Sequence, residues 1–226
     1  MNDICKELNE ALESLESKLR AYLELFDRKE LYSFLPEKIG TAYDIGAYNG
    51  DTVRELLAYR SGVGKIYAVE PDRRNFKKLS KFIAESGLEE RVTAINAAAW
   101  SESGGGIFIG SGNRNSSVSY TASYENKKED VDMIAVDEIS PDRVDYIKYD
   151  VEGAEQEALI GSRMTLKKHR PCLFVSAYHR SEDIFSLVNY LKDQYPFYRL
   201  FLNRITCFPA WEISIIAVPI ENCDDM

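Results

Sequence analysis

The sequence predicts an α/β domain: a mostly parallel sheet with helices on both faces, closed by an antiparallel hairpin. From Thr41 onward, short apolar runs alternate with helical patterns, the signature of βαβ units. Small residues and acids fall where those runs end, as they do in doubly wound sheets that bind a ligand at the strand ends. The last two runs, FYRLFL and EISIIAV, are joined by residues 203–211, too short a link for a helical crossover, so that pair is antiparallel.

Each element carries its own signal. TAYDI reads as a strand leading into the helix DTVRELLAYR, and KIYAVE as a strand leading into DRRNFKKLSKFIAESG. In that second helix Phe76, Leu79 and Ile83 share a face, and Gly87 stands where a left-handed cap belongs. RVTAINAAAW is the third strand; VDYIKYDV and GAEQEALIGS form the next strand and helix. PCLFVSAY precedes SEDIFSLVNYLKDQ, whose Ile184, Leu187, Val188 and Leu191 line one face behind Ser181 as N-cap. The segment 101–136, rich in Gly, Ser and Asn with two short strand-like runs, breaks the alternation and reads as an irregular insertion.

Before this domain, Cys5, Leu8, Leu12, Leu15, Leu19, Tyr22 and Phe26 recur at three- and four-residue steps on one helical stripe. Such a stripe fits an amphipathic helix packed on its own domain, or a short coiled coil forming a homodimer. Pro36 and Gly40 then punctuate the chain, dividing an N-terminal helical segment, 1–35, from a main domain, 36–226.

Composition narrows the function classes. The chain has 226 residues and a formal net charge of −9, with a pI near 4.9. Acidity of that degree argues against nucleic acid, whose binding draws on clustered Lys and Arg. The four cysteines, Cys5, Cys172, Cys207 and Cys223, are scattered, and with two histidines they form no metal-binding spacing. MNDICKELNE lacks the basic and apolar regions of a signal peptide, and ISIIAVPI is too short to span a bilayer. A cytoplasmic protein without membrane contact is the expectation.

The stretch YDIGAYNGDT places Gly46 and Gly50 at the end of the first strand, where backbone approaches a ligand closely. Glu70 ends the second strand, where an acid accepts hydrogen bonds from ribose hydroxyls. Together they predict a nucleoside ligand. A dinucleotide sets its pyrophosphate on the helix N-terminus, but Asp44 and Asp51 would repel it, and the G-x-G-x-x-G spacing is absent. S-adenosylmethionine has no phosphate, and its ammonium and sulfonium gain from nearby carboxylates.

These residues carry a resemblance. YDIGAYNGD, KIYAVEP, INAAAW and above all VDEISPDRVDYIKYDVEGAEQEALIG with RPCLFV resemble the FkbM-type family of class I, S-adenosylmethionine-dependent methyltransferases, from about Thr41 to about Tyr195. The resemblance implies a Rossmann-like domain with a mostly parallel seven-stranded sheet and an antiparallel C-terminal strand. It implies that Asp44, Gly46, Ala47 and Gly50 hold the methionine end of the cofactor, that Glu70 holds the ribose, and that Asn96 and Ala97 lie beside the adenine. Tyr48, Asp51, Thr52 and Pro71, in the same two turns, and Asp150 complete the candidate cofactor contacts. Tyr48 departs from the smaller or amide residue usual after Gly-Ala.

For the chemistry, KYDVEGAE supplies Asp150 and Glu152 at a strand end beside the cofactor. Either can serve as general base for a hydroxyl acceptor, or the pair can hold a divalent cation that lowers the acceptor's pKa. Glu152 as a helix cap near Gly153 is the plainer alternative. His179, past PCLFVSAY at the same sheet edge, is a further candidate base, whereas His169 between Lys168 and Arg170 reads as solvated. Tyr178 and Trp100 are candidate pocket walls. Asn113, Arg114, Asn115, Ser116 and Ser117 are hydrogen-bonding types suited to a polar acceptor, which the resemblance makes a sugar or secondary metabolite. The alternatives to this O-methyltransferase are a nicotinamide-dependent oxidoreductase of the same sheet class and a non-catalytic scaffold.

Overall fold

The computed structural model describes residues 28–109, 117–119, 128–139, 142–206 and 211–222. The helical stripe from Cys5 to Phe26 lies outside them. The chain begins with a short helix, α1 (Arg28–Ser33), and continues through β1 (Thr41–Ile45), α2 (Asp51–Tyr59), β2 (Lys65–Val69), α3 (Arg73–Glu85) and β3 (Val92–Ile95). After β4 (Ala98–Ala99), β5 (Gly104–Ile109), β6 (Ser117–Ser119) and β7 (Lys128–Ile134) come β8 (Tyr146–Tyr149), α4 (Glu155–Ile160) and α5 (Arg163–His169). The last elements are β9 (Cys172–Ser176), α6 (Asp183–Gln194), β10 (Tyr198–Thr206) and β11 (Trp211–Pro219).

Seven strands form the main sheet in the order β10-β11-β9-β8-β1-β2-β3. The pairs β9/β8, β8/β1, β1/β2 and β2/β3 are parallel, and β11 runs antiparallel to both β9 and β10. The expected parallel sheet with an antiparallel closing hairpin is what the chain builds.

Period-two alternation decides which side chain goes to which face. Tyr43, Ile147, Tyr149, Leu173, Val175 and Ile215 pack on one side with Leu159, Leu166, Leu187 and Leu191 of α4, α5 and α6. Their neighbours Ala42, Tyr146, Phe174 and Ile216 pack on the other with Val53, Leu56, Leu79 and Ile83 of α2 and α3. Both faces are covered, which is why the strands read as continuous apolar runs. Leu31 and Tyr32 of α1, with Leu35, are buried in the second of these cores.

Local chemistry sets the helix ends. Asp72 accepts from the amides of Arg74 and Asn75 at 2.8 and 2.9 Å and starts α3. Gly87, at φ 63, ends it as the left-handed cap. At α6 the expected cap is not used: the helix starts at Asp183, whose carboxylate takes the Arg180 amide at 3.0 Å, and Ser181 lies before it. The single helix read in GAEQEALIGS ends instead at Ile160, and α5 starts after Gly161 and Ser162.

The insertion is more ordered than its composition indicates. Its described strands form a second sheet, β4-β7-β5-β6, in which β5 and β7 pair antiparallel from Gly104↔Met133 to Ile109↔Lys128. The run Gly104–Gly106 hides a strand from pattern reading because it carries no side chains to alternate. At Gly106 the bareness is used: a Cβ there would lie 2.0 Å from Met133 Cε.

Leu173 is fully buried in β9, so Leu173→Ala should cost about 2–5 kcal/mol in urea denaturation. Phe185 in α6 is 72% exposed, and Phe185→Ala should stay within about 0.5 kcal/mol of the parent protein.

Candidate active site

The predicted cofactor-contacting and catalytic residues lie at the carboxyl ends of the parallel strands of the main sheet. At the end of β1, Gly46 (φ 85) turns the chain so tightly that a Cβ would sit 1.9 Å from the carbonyl oxygen of Asp150. The turn of β1 thus rests directly on the end of β8. The amides of Gly46 and Ala47 both donate to the Val69 carbonyl, at 2.9 and 3.0 Å, tying it to β2 as well. Gly50, at φ 87, packs so close to Phe82 that a Cβ would approach its ring to 2.6 Å.

Glu70 joins three strand ends. Its Oε2 accepts the Tyr48 amide at 2.8 Å, and its Oε1 accepts the Asp72 amide at 3.0 Å. The Asn96 side chain donates to the carbonyls of Glu70 and Pro71 at 2.8 and 3.1 Å. Tyr48, Glu70, Pro71 and Asn96 are therefore brought into one place, with Ala97 buried alongside. Burial pushes the Glu70 carboxyl up to about 7, against the two backbone donors that favour its charge.

Beneath the turn lies a residue that sequence reading missed. Lys148 is the register partner of Asp44 across the β1/β8 ladder. Its Nζ donates to Asp44 Oδ1 at 3.2 Å and to the Gly46 carbonyl at 3.0 Å, and stands 3.5 Å from Asp150 Oδ2. The Thr52 hydroxyl donates to the other oxygen of Asp44. Burial raises the Asp44 pKa, with Lys148 opposing. For Lys148 burial favours the neutral amine, but Asp44 and Asp150 outweigh it and hold the ammonium above its ordinary range. The signal was visible in YIKY, where one lysine interrupts an otherwise apolar central strand. Asp51 sits at the start of α2, where its Oδ1 takes the Thr52 amide at 2.9 Å.

A second group gathers where β8 and β9 end. Asp150 comes directly after β8, and Glu152 (φ 54) projects from the turn into α4. His179, three residues past β9, places Nε2 3.4 Å from Asp150 Oδ1 and 3.4 Å from Glu152 Oε2. Its Nδ1 lies 2.8 Å from Glu155 Oε1. The Tyr178 hydroxyl donates to Asp150 Oδ1 at 3.2 Å, and its ring lies 4.2 Å from that of His179. Burial disfavours the Asp150 charge, yet Lys148 and His179 overcome it and hold the carboxyl below its ordinary range. Burial likewise disfavours imidazolium, but Glu155, Asp150 and Glu152 raise the His179 pKa.

Glu155 was also missed. Its Oε1 accepts the amides of Val151 and Gly153, at 3.0 and 3.4 Å, the backbone role considered for Glu152. It reads as one more acid on a helix surface, but it is 1% exposed. Trp100 packs beside Ala98, Val131 and Met133 of the second sheet. His169 closes α5, where burial and Lys168 lower its pKa. Residues 113–116 lie outside the described part, and Ser117 opens β6.

The strand order and the glycine turn, with acids ending successive strands, define the Rossmann-like class I methyltransferase fold. The methyltransferase FkbM domain matches residues 44–204, and the chain belongs to that family. Among solved structures it is similar to methyltransferase FkbM from Methylobacillus flagellatus KT: 26% identity and a TM-score of 0.63, over 80% of this chain and 44% of that one. It thus spans less than half of that protein's length. The fold also matches an rRNA methylase from Streptococcus thermophilus, 12% identical with a TM-score of 0.53, over 84% of this chain and 91% of that one. A Streptococcus mutans protein in complex with SAH is 10% identical with a TM-score of 0.53, over 84% of this chain and 94% of that one. No curated protein matches the sequence. No helix among the described residues is long and apolar enough to cross a membrane.

Removing the ammonium at position 148 leaves the buried Asp44 and the half-buried Asp150 without their shared partner. Lys148→Met should therefore lose about 3–5 kcal/mol of stability at neutral pH, read by chemical denaturation.

Proposed function

We propose that the protein is an S-adenosylmethionine-dependent O-methyltransferase acting on a hydroxyl of a small polar acceptor, such as a sugar or secondary metabolite. The observation that carries this reading is the contact of Gly46 with Asp150, which sets a carboxylate–histidine group against the turn expected to hold the donor. Family membership and the SAH-bound neighbour of the same fold support the choice of cofactor.

The residues fit that cofactor. Glu70 keeps lone pairs for ribose hydroxyls after accepting its two backbone donors, and the buried Asn49 Oδ1 in the turn has no hydrogen-bond partner. Gly46, Ala47 and Gly50 let the backbone approach the methionine end, while Asn96 and Ala97 flank the adenine side. When bound, S-adenosylmethionine supplies a sulfonium methyl, whose C–S bond breaks as the acceptor oxygen forms its O–C bond, leaving a neutral thioether.

The chain's own task is to hold acceptor and donor aligned and to remove the hydroxyl proton. Asp150, Glu152 and His179 receive that hydroxyl. Lys148 holds Asp150 in place on one side and Tyr178 on the other. A nicotinamide cofactor fits less well, since Asp51 at the start of α2 meets its pyrophosphate with negative charge.

Calorimetric titration with S-adenosylhomocysteine, with NAD as the control ligand, tests this reading. Micromolar binding of the first and none of the second is expected; heat from NAD alone would overturn it. Ionised Glu70 offers the better ribose acceptor, so affinity should weaken as pH falls through about 7, approaching tenfold per pH unit. Glu70→Gln should remove that dependence and Glu70→Ala should abolish binding.

A further inference from the structure

The two ring nitrogens of His179 face different surroundings. Nδ1 lies 2.8 Å from Glu155 Oε1, the oxygen that also accepts the amides of Val151 and Gly153. A carboxylate only accepts, so Nδ1 carries a proton. Nε2 lies 3.4 Å from Asp150 Oδ1 and 3.4 Å from Glu152 Oε2. A bare lone pair there would face two negative oxygens, so the arrangement favours a proton on Nε2 as well. Burial opposes the resulting charge, and Glu155, Asp150 and Glu152 overcome it. Of the other groups on the elements packed here, Lys148 is engaged by Asp44 and Asp150, Tyr178 donates to Asp150, and Arg180 lies over Gly153. Asp183 and Glu212 add negative charge around Glu155 and Tyr178.

The second N–H has no acceptor. The side chain is 8% exposed, and Nε2 makes no hydrogen bond among the described residues. At 3.4 Å each carboxylate attracts the ring without closing to the length of a charge-assisted bond, about 2.7–2.9 Å. A buried donor without an acceptor is costly, and Glu155 keeps the ring from turning to relieve it. Its Oε1 is fixed by two amides of the turn that carries Glu152, and the residue is 1% exposed. An N–H with a carboxylate on either side is an acceptor–donor–acceptor row. Two hydroxyls on adjacent carbons match it: one oxygen accepts from Nε2, and the hydroxyls donate to the carboxylates.

We propose that Glu155 is a positioning residue that aims the Nε2–H of His179 at the acceptor, and that this N–H binds an oxygen next to the hydroxyl being methylated. His179 is then a donor, and the Asp150–Glu152 pair takes the hydroxyl proton. The acceptor contact rests on the methyltransferase reading, whereas the two protons on the ring do not. In the transfer the hydroxyl proton passes to a carboxylate, and the oxygen takes the methyl group as the donor's C–S bond breaks. The carboxyl then releases its proton to water, and the ring leaves the step as it entered. The acceptor class selected is a vicinal diol, as in a sugar, over a lone alcohol.

The chain has two histidines, so nitrogen NMR of 15N-labelled full-length protein reads His179 directly, with His169→Asn giving the assignment. Protons on both ring nitrogens are expected at about pH 7.5, with a titration midpoint above the ordinary histidine value of about 6.5. Glu155→Gln keeps an oxygen for the two amides but removes the charge. It should lower that midpoint by about one pH unit or more and leave S-adenosylhomocysteine binding in place. A bare Nε2 at about pH 7.5 would overturn the proposal, as would an unmoved midpoint in folded Glu155→Gln protein. With S-adenosylhomocysteine bound, D-glucose should shift the Nε2 resonance more than that of Nδ1, and 1-propanol should shift neither. No shift with glucose, or an equal one with propanol, would overturn the acceptor contact. Protons on both nitrogens without S-adenosylhomocysteine binding would support the role of Glu155 and count against the donor assignment instead.

Discussion

The ammonium of Lys148 is the constraint on which the rest of the site depends. A lysine in the centre of a parallel sheet is tolerated only where its charge is met, and here the ladder register supplies Asp44 directly across from it. The same nitrogen reaches the Gly46 carbonyl and approaches Asp150. The glycine turn after β1 and the acid turn after β8 are therefore fixed relative to one another by a single buried cation. Asp145 repeats the device at the opposite edge, accepting the amides of Gly40 and Thr41 at 2.7 and 3.2 Å where β1 begins. The two central strands are clipped at both ends, and only the carboxyl end carries candidate chemistry.

That clip changes what the acids of the turn can do. From sequence, Asp44 stands as a free carboxylate awaiting a cationic cofactor. In the structure Lys148 and Thr52 engage its two oxygens, which makes it part of the tie between β1 and β8. Further along, Lys148 is shared between Asp44 and Asp150, and His179 lies between the carboxylates of Asp150, Glu152 and Glu155.

Much of this was legible in the sequence, for physical reasons that also mark where legibility stops. Buried parallel strands announce themselves as apolar runs, and Gly46 and Gly50 as places where a Cβ has no room. Glu70, Asp150, Glu152 and His179 were found because strand ends gather at one edge. Lys148 and Glu155 were not, because each takes its meaning from a partner distant in sequence. The second sheet was hidden by Gly104–Gly106. The break between α4 and α5 was hidden because Gly161 reads as helix interior or cap, whereas its bareness serves a contact with Trp100, whose carbonyl oxygen would lie 2.0 Å from a Cβ.

Tyr48 and Glu152 show where the fold accepts cost to build the site. Both are non-glycine residues at positive φ, 48 and 54, in a region disfavoured by roughly 1–2 kcal/mol for L-residues. Each occupies a turn from a parallel strand into the next helix. The left-handed conformation at Tyr48 accompanies the donation of its amide to Glu70, and Lys78 Nζ lies 5.8 Å from the centre of its ring. At Glu152 it accompanies a carboxylate brought to His179, with Gly153 at φ 96 absorbing the next step of the turn. A glycine would relieve either strain, yet at Glu152 it would remove the carboxylate and at Tyr48 the ring. Strain of this kind persists only where its surroundings over-determine it. Here those surroundings are the sheet ends pinned by Lys148, so the rigidity of the central strands and the distortion of the two turns are parts of one arrangement.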